Sequence, residues 1–215
     1  MPKITAITQQ KKLRHRVSLY VDGKFEMGVD GSLVLKYDLK IGDEISSKLK
    51  QLLEENDRIE LAYNSLLNFI GYRERCEFEV HEWLYKKKFA DLEEELVARL
   101  KDKNYLSDKR FTRLFIRDRV KLRAWGPIRL RHELNSKRIS KHTIENAIED
   151  IREEYDFDQM ATDLAQQKLK LTPQPNFKDK KRIWSFLQRR GYEAPSIIHA
   201  LTGVAFIRDP KNDSE

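Results

Sequence analysis

The chain has 215 residues, of which 36% are charged and 40% hydrophobic, and its net charge is +7. That length holds one large or two small domains with a very polar surface. No stretch approaches the ~18 consecutive apolar residues of a membrane span, residues 1–10 lack the apolar segment of a signal peptide, and Cys76 has no second cysteine to pair with. The expectation is a cytoplasmic protein without a membrane segment or a disulfide.

From the N-terminus, Val17, Leu19 and Val21 alternate, as do Phe25, Met27 and Val29, on either side of Asp22-Gly23. This pattern predicts a hairpin. A two-residue loop at Asp22-Gly23 sets Leu19 opposite Glu26 and splits the apolar sets between two faces. A three-residue loop, Val21 to Gly23, sets Leu19 opposite Phe25 and Val17 opposite Met27, and is the expected register. Ile4, Ala6 and Thr8 supply a third strand, because a lone hairpin is marginal in water. Leu33 to Tyr37 form a short helix and 39–43 a turn. The N-terminal β element is placed at 1–45. A long helix follows, capped by Ser46 or Ser47. Its stripe of Leu49, Leu52, Leu53, Asn56, Ile59, Tyr63, Leu66, Leu67 and Ile70 ends near Gly71.

Three later stretches share one apolar frame. Val80, Leu84 and Phe89 stand at offsets of four and five, and so do Leu130, Leu134 and Ile139, then Ile183, Leu187 and Tyr192. Each is followed by a second helical pair: Leu96 and Leu100, Ile144 and Ile148, Ile197 and Leu201. Such a period predicts stacked helical units, each too small to bury its own apolar face. The fold class is mainly α: three tandem three-helix repeats after the small β element. The connecting helix and first repeat take 46–105, the second repeat 106–154, the third 155–205, and 206–215 are a disordered tail. In the second repeat Ser107-Asp108 cap the first helix, Gly126-Pro127 break the chain before the next, and Ser140 caps the third.

Charge is concentrated in the second repeat. Residues 109–141 carry twelve Lys and Arg against Asp118 and Glu133 alone, a field that attracts a polyanion. Arg110, Arg113, Arg117 and Lys121 fall on one helical stripe without acidic partners at helical spacing. They are the leading candidates for partner or DNA contact. Arg123, Arg129, Arg131, Lys137 and Arg138 extend the field, and Lys86, Lys87, Lys181 and Arg182 mark outer clusters. The competing possibility for the stripe is a solvated helix face; for Arg119, Arg123, Arg129 and Arg131 it is ion pairs to Glu145–Glu154 on the third helix. Arg189 and Arg190 close a helix, where cations also stabilise the dipole. Trp83 and Trp184 belong beside the apolar frame, and Trp125 can act as a staple ahead of its helix.

Catalytic signals are poor. His81-Glu82 and His132-Glu133 begin a zinc-protease pattern, but Tyr85 and Ser136 stand where the second histidine belongs. There is no phosphate-cradling glycine loop and no nucleophile elbow. No catalytic residue, metal site or cofactor is expected.

The second repeat reads Asp108-x-x-Phe111, then Arg119, then Trp125-Gly126-Pro127-Ile128-Arg129, then Glu133-Leu134-x-x-Lys137-Arg138-Ile139. The first and third repeats echo its close with Trp83-Leu84-x-x-Lys87-Lys88-Phe89 and Phe186-Leu187-x-x-Arg190-Gly191-Tyr192. This resembles the RecX family, bacterial regulators of the RecA recombinase built from tandem three-helix repeats. Tyr20 to Phe25 and Leu39 to Asp43 resemble the N-terminal extension of part of that family. The resemblance implies a non-enzymatic monomer that binds RecA–single-stranded DNA filaments, touches the DNA or not, and inhibits or tunes the recombinase in DNA repair and the SOS response. Two other readings stay open: a general nucleic-acid binder without a recombinase partner, and a peptide-binding helical scaffold.

Overall fold

The structure, a computed structural model, describes residues 2–170, 172 and 174–207. The chain divides into two compact units. One runs through Arg73 and takes in Val80–Tyr105; the other joins Glu74–Glu79 to the chain from Leu106 onward.

The first unit opens with an antiparallel sheet of β1 (Ile4–Gln9), β2 (Arg16–Val21) and β3 (Lys24–Asp30), ordered β1-β2-β3. Then come α1 (Gly31–Lys36), α2 (Ser47–Gly71), α3 (Glu77–Lys86, of which Val80 onward belongs to this unit), a 3₁₀ turn at Ala90–Leu92 and α4 (Glu93–Asp102). The third strand forms as expected. The hairpin register does not. Val21 pairs with Lys24 across a two-residue turn, with Asp22 and Gly23 both at positive φ (47° and 78°). Leu19 faces Met27 and Val17 faces Val29, while Tyr20 faces Phe25. Glu26 is the extra residue of a bulge, so the tight turn and a single apolar face coexist. Leu19, Val21, Met27 and Val29 are buried with Ile4, Leu33, Leu39, Ile45 and Leu53, whereas Phe25 is 59% exposed on the far face.

Ser46 caps α2 by accepting from the Leu49 N–H. A polar clasp holds this helix to the sheet. Arg16 donates from both terminal nitrogens to the Asp57 carboxylate, at 3.1 and 2.8 Å, and also to the Gly28 carbonyl at 2.7 Å. Asp57 accepts the Asp30 N–H at 2.7 Å as well. Both charged side chains are 10% exposed. A buried pair is tolerated when its remaining hydrogen-bonding capacity is also met. Farther along, Arg99 grips Glu60 through two bonds of 2.8 and 3.0 Å.

The second unit contains α5 (Asp108–Arg123), α6 (Pro127–Ser136), α7 (Lys141–Arg152), α8 (Phe157–Leu169), α9 (Phe177–Arg190) and α10 (Ala194–Leu201). Ser107, Ser140 and Asp156 cap α5, α7 and α8 through their side chains, and Pro127 sits in the first turn of α6. The core includes Ile116, Val120, Trp125, Ile148, Phe157, Ala161 and Ile197. Cys76 lies in the same core as a free thiol, and burial pushes its pKa up. Phe206 packs on this core, and Ile207 bridges to Asn176. These two residues, counted with the tail from sequence, are therefore held by apolar contact and pairing; 208–215 lie outside the described residues.

The protein is mainly α, with three three-helix repeats after the β element, and the frame residues explain the architecture. Leu84, Leu134 and Leu187 are each 0% exposed. The offset of five marks a helix end. The N–H groups of Phe89, Ile139 and Tyr192 reach back to the carbonyls of Leu84, Leu134 and Leu187 at 2.9, 3.2 and 3.2 Å. The residues just before them, Lys88, Arg138 and Gly191, have φ of 62°, 57° and 87°. This is the Schellman stop, in which an apolar residue after the left-handed position folds back onto the last turn. Sequence motif and backbone geometry repeat together in all three repeats.

Candidate functional site

Helix α5 buries Phe111, Thr112, Ile116 and Val120, which turns Arg110, Arg113, Arg117 and Lys121 outward as predicted. The stripe is not unpaired, however. Arg110 bonds Glu74 at 2.7 and 2.8 Å. Arg113 bonds Asp150 through Nη2 at 2.8 Å and Nε at 3.2 Å, and Arg117 bonds Glu154 at 2.5 Å. The partners come from α7 and from residue 74, so no search at helical spacing along α5 finds them. The hydrogen bond to Glu154 raises the Arg117 pKa further. The Arg113 and Arg117 pairs span a groove of about 750 Å³ between α5 and α7, floored by Leu114, Ala147 and Ile151. In the Arg113–Asp150 pair both side chains are half exposed; such contacts contribute roughly 0–1 kcal/mol and exchange easily with other anions. Lys121 is exposed and makes no ion pair among the described residues.

The remaining predicted cations separate into structural and free groups. Arg131 is held by Glu145 at 3.0 Å and Glu193 at 2.9 Å, and both bonds raise its pKa. Lys137 bonds Glu79 at 2.6 Å and is only 25% exposed. Arg138 occupies the left-handed stop of α6 and covers the Phe78 ring at 4.6 Å. Arg182 pairs with Asp179 at 3.2 Å on its own helix. Lys86, Lys87 and Lys181 are exposed. Arg129 stacks on Trp125 at 4.2 Å, lies 3.9 Å from Glu133, and donates to the Arg189 carbonyl at 3.3 Å. Arg123 is exposed, and its carbonyl accepts from Arg190.

Trp125 is buried, with Phe115 of α5 edge-on at 6.2 Å. Trp83 stacks on Phe69 at 5.4 Å, and Trp184 lies partly buried against the second core. His81 bonds Glu93 at 2.6 Å. Among the described residues no group of three His, Cys, Asp or Glu is placed to hold a metal ion, and no helix is long and apolar enough to cross a membrane. What this surface offers is cations for anionic ligands, set around an apolar floor of Leu114, Ala147 and Ile151.

Comparison with known proteins gives one answer along the chain. Residues 2–46 match the regulatory protein RecX N-terminal domain, 107–148 the second three-helix domain of RecX, and 154–201 the third. The regulatory protein RecX of Bacillus subtilis (strain 168) is 30% identical over 217 residues, covering 100% of this chain and 82% of that protein. The regulatory protein RecX of Bacillus velezensis is 31% identical over 224 residues, with coverage of 100% and 82%. A crystal structure of a regulatory protein RecX shares the fold at a TM-score of 0.77 and 22% identity, over 91% of this chain and 97% of that one. RecX from Lactobacillus salivarius matches at a TM-score of 0.62 and 21% identity, over 68% and 96%. With its β element, its second and third repeats and, by the Bacillus relatives, its whole length matched, the chain belongs to the RecX family of regulatory proteins.

Proposed function

We propose that this chain binds filaments of the RecA recombinase on single-stranded DNA and lowers their activity, restraining recombination and the SOS response. It acts in the cytoplasm as a monomer and catalyses nothing itself. The observation that carries the reading is the match to RecX regulatory proteins over the full chain. The exposed cations of the second repeat support it. Arg113 and Arg117 already hold carboxylates in solvent-exposed pairs, and a partner's carboxylate or phosphate can take the same place. Lys121 lies beside them on α5, and Lys86, Lys87, Lys181 and Arg182 are secondary contacts. Arg131 and Lys137 act through the fold, because their bonds run to Glu145, Glu193 and Glu79.

The test is co-sedimentation with RecA filaments assembled on single-stranded DNA with a non-hydrolysable nucleotide. The chain is expected to pellet with filaments, and Arg113→Gln with Arg117→Gln to weaken that binding. Failure of the wild-type chain to pellet with filaments would rule the reading out. If it pellets equally with DNA alone and with coated DNA, it is a plain nucleic-acid binder.

A further inference from the structure

We propose that the end of α5, the start of α6 and the end of α9 form a binding site for a single-stranded nucleic acid, contacted through its phosphodiester backbone and distinct from the α5–α7 groove. It goes beyond recombinase binding and does not depend on it. Six cations converge there: Arg119, Arg123, Arg129, Lys168, Arg189 and Arg190. Their proximity follows from shared contacts. Arg119 and Arg129 lie 5.3 and 4.2 Å from the Trp125 ring centroid. Arg129 donates to the Arg189 carbonyl and Arg190 to the Arg123 carbonyl, so each helix end is closed by an arginine of the other repeat. Lys168 and Arg190 lie 5.0 and 5.3 Å from the Phe186 ring centroid. Two surface hollows, of about 450 and 640 Å³, meet at Arg189 and give a strand room to cross.

Helix dipoles do not account for this much charge. Three helices, α5, α8 and α9, end among these cations. A helix C-terminus carries about half an elementary negative charge, so three ends offset only about one and a half of the six. Among the described residues Glu133, 3.9 Å from Arg129, is the one carboxylate within ion-pair reach of any of them. The α5 stripe is the opposite case, since Arg110, Arg113 and Arg117 each have an acid. The Arg119 Nε is buried without a hydrogen-bond partner. Like charges gathered in this way repel, and a polyanion relieves the repulsion. Guanidinium groups match phosphate oxygens in geometry as well as charge. Beside the cations, Leu122 is 72% exposed and Ile128 49% exposed. Unpaired bases present apolar faces to such side chains, whereas a duplex presents mainly phosphates. That favours a single strand.

The test needs no recombinase. A fluorescein-labelled oligo(dT) is titrated with the full chain at several salt concentrations. Wild type is expected to bind, with log affinity falling linearly against log salt. Lys168→Glu with Arg189→Glu, both exposed positions, should weaken binding and flatten the slope by about 1.4, at ~0.7 per lost single-strand phosphate contact. Lys24→Glu with Lys48→Glu makes the same change in net charge and should leave the slope alone. The neutral pair Lys168→Gln with Arg189→Gln, checked by thermal melting, guards against a folding artefact and should also flatten the slope. Three results overturn the site: an unchanged slope in both variants, equal affinity for a duplex of the same length, or equally effective displacement by polyglutamate. None of them bears on filament binding, and a failed filament assay leaves this site standing.

Discussion

Gly191 and Lys88 occupy the same left-handed position in different repeats, so exchanging side chains there separates backbone strain from packing. An L-residue at this φ costs ~1–2 kcal/mol, and glycine's extra freedom in the unfolded chain returns ~0.4–1 kcal/mol of that difference. Lys88→Gly therefore stabilises by roughly 0.5–1 kcal/mol; the Lys88 side chain is exposed, and the bond from Arg58 uses only its carbonyl. Gly191→Ala pays the strain in reverse and adds a collision. A Cβ on Gly191 would overlap the backbone nitrogen of Arg129, at the seam between α6 and α9. Forced overpacking costs ~1–3 kcal/mol, so the variant should lose about 2–4 kcal/mol in all. Denaturant unfolding of each variant beside wild type reads both effects. If Gly191→Ala stays within about 0.5 kcal/mol of wild type, the range of neutral surface changes, the close approach at this seam is not what specifies glycine.

Asp57→Ala leaves Arg16 buried without its carboxylate, and the first unit should lose ~3–5 kcal/mol by denaturant unfolding; a loss no larger than that of an exposed pair would contradict the clasp. Tyr192 donates its hydroxyl to the Ala124 carbonyl at 3.1 Å, and burial pushes its pKa up to about 12, from the ordinary tyrosine value of 10.0. Its neutral form is favoured by folding, so this contribution is fully present below pH 10 and is lost as pH rises toward about 12. Spectrophotometric titration should show one tyrosine ionising late, and Tyr192→Phe should remove that step.

Most of the fold is legible in the sequence because its signals are local. Helix caps at Ser46, Ser107 and Ser140 come from residue type and position, and the recurring frame of Leu84, Leu134 and Leu187 marks buried positions by period alone. The offset of five in that frame is legible as a repeat but not as a Schellman stop, because Lys88 and Arg138 stand where glycine is the usual signal. The hairpin register fails for a related reason: a single bulge at Glu26 is invisible to alternation, yet it shifts every pair beyond it. The candidate site is the least legible part. Charge density along 109–141 counts cations and not their partners, and Asp150, Glu154 and Glu74 reach the α5 stripe only through tertiary packing. Asp57 is hidden in the same way, as one acid in a polar helix whose buried face is set by Arg16 on a distant strand. The cations at the ends of α5, α8 and α9 are far apart in sequence and come together only in the folded unit.

This chain is proposed to restrain a recombinase filament by binding it. The most direct measurement is ATP hydrolysis by RecA on single-stranded DNA, followed while the purified chain is titrated in. Hydrolysis should fall saturably with added chain, and Arg113→Gln with Arg117→Gln should shift the curve to higher concentration. Hydrolysis that stays unchanged up to equimolar chain would contradict the claim.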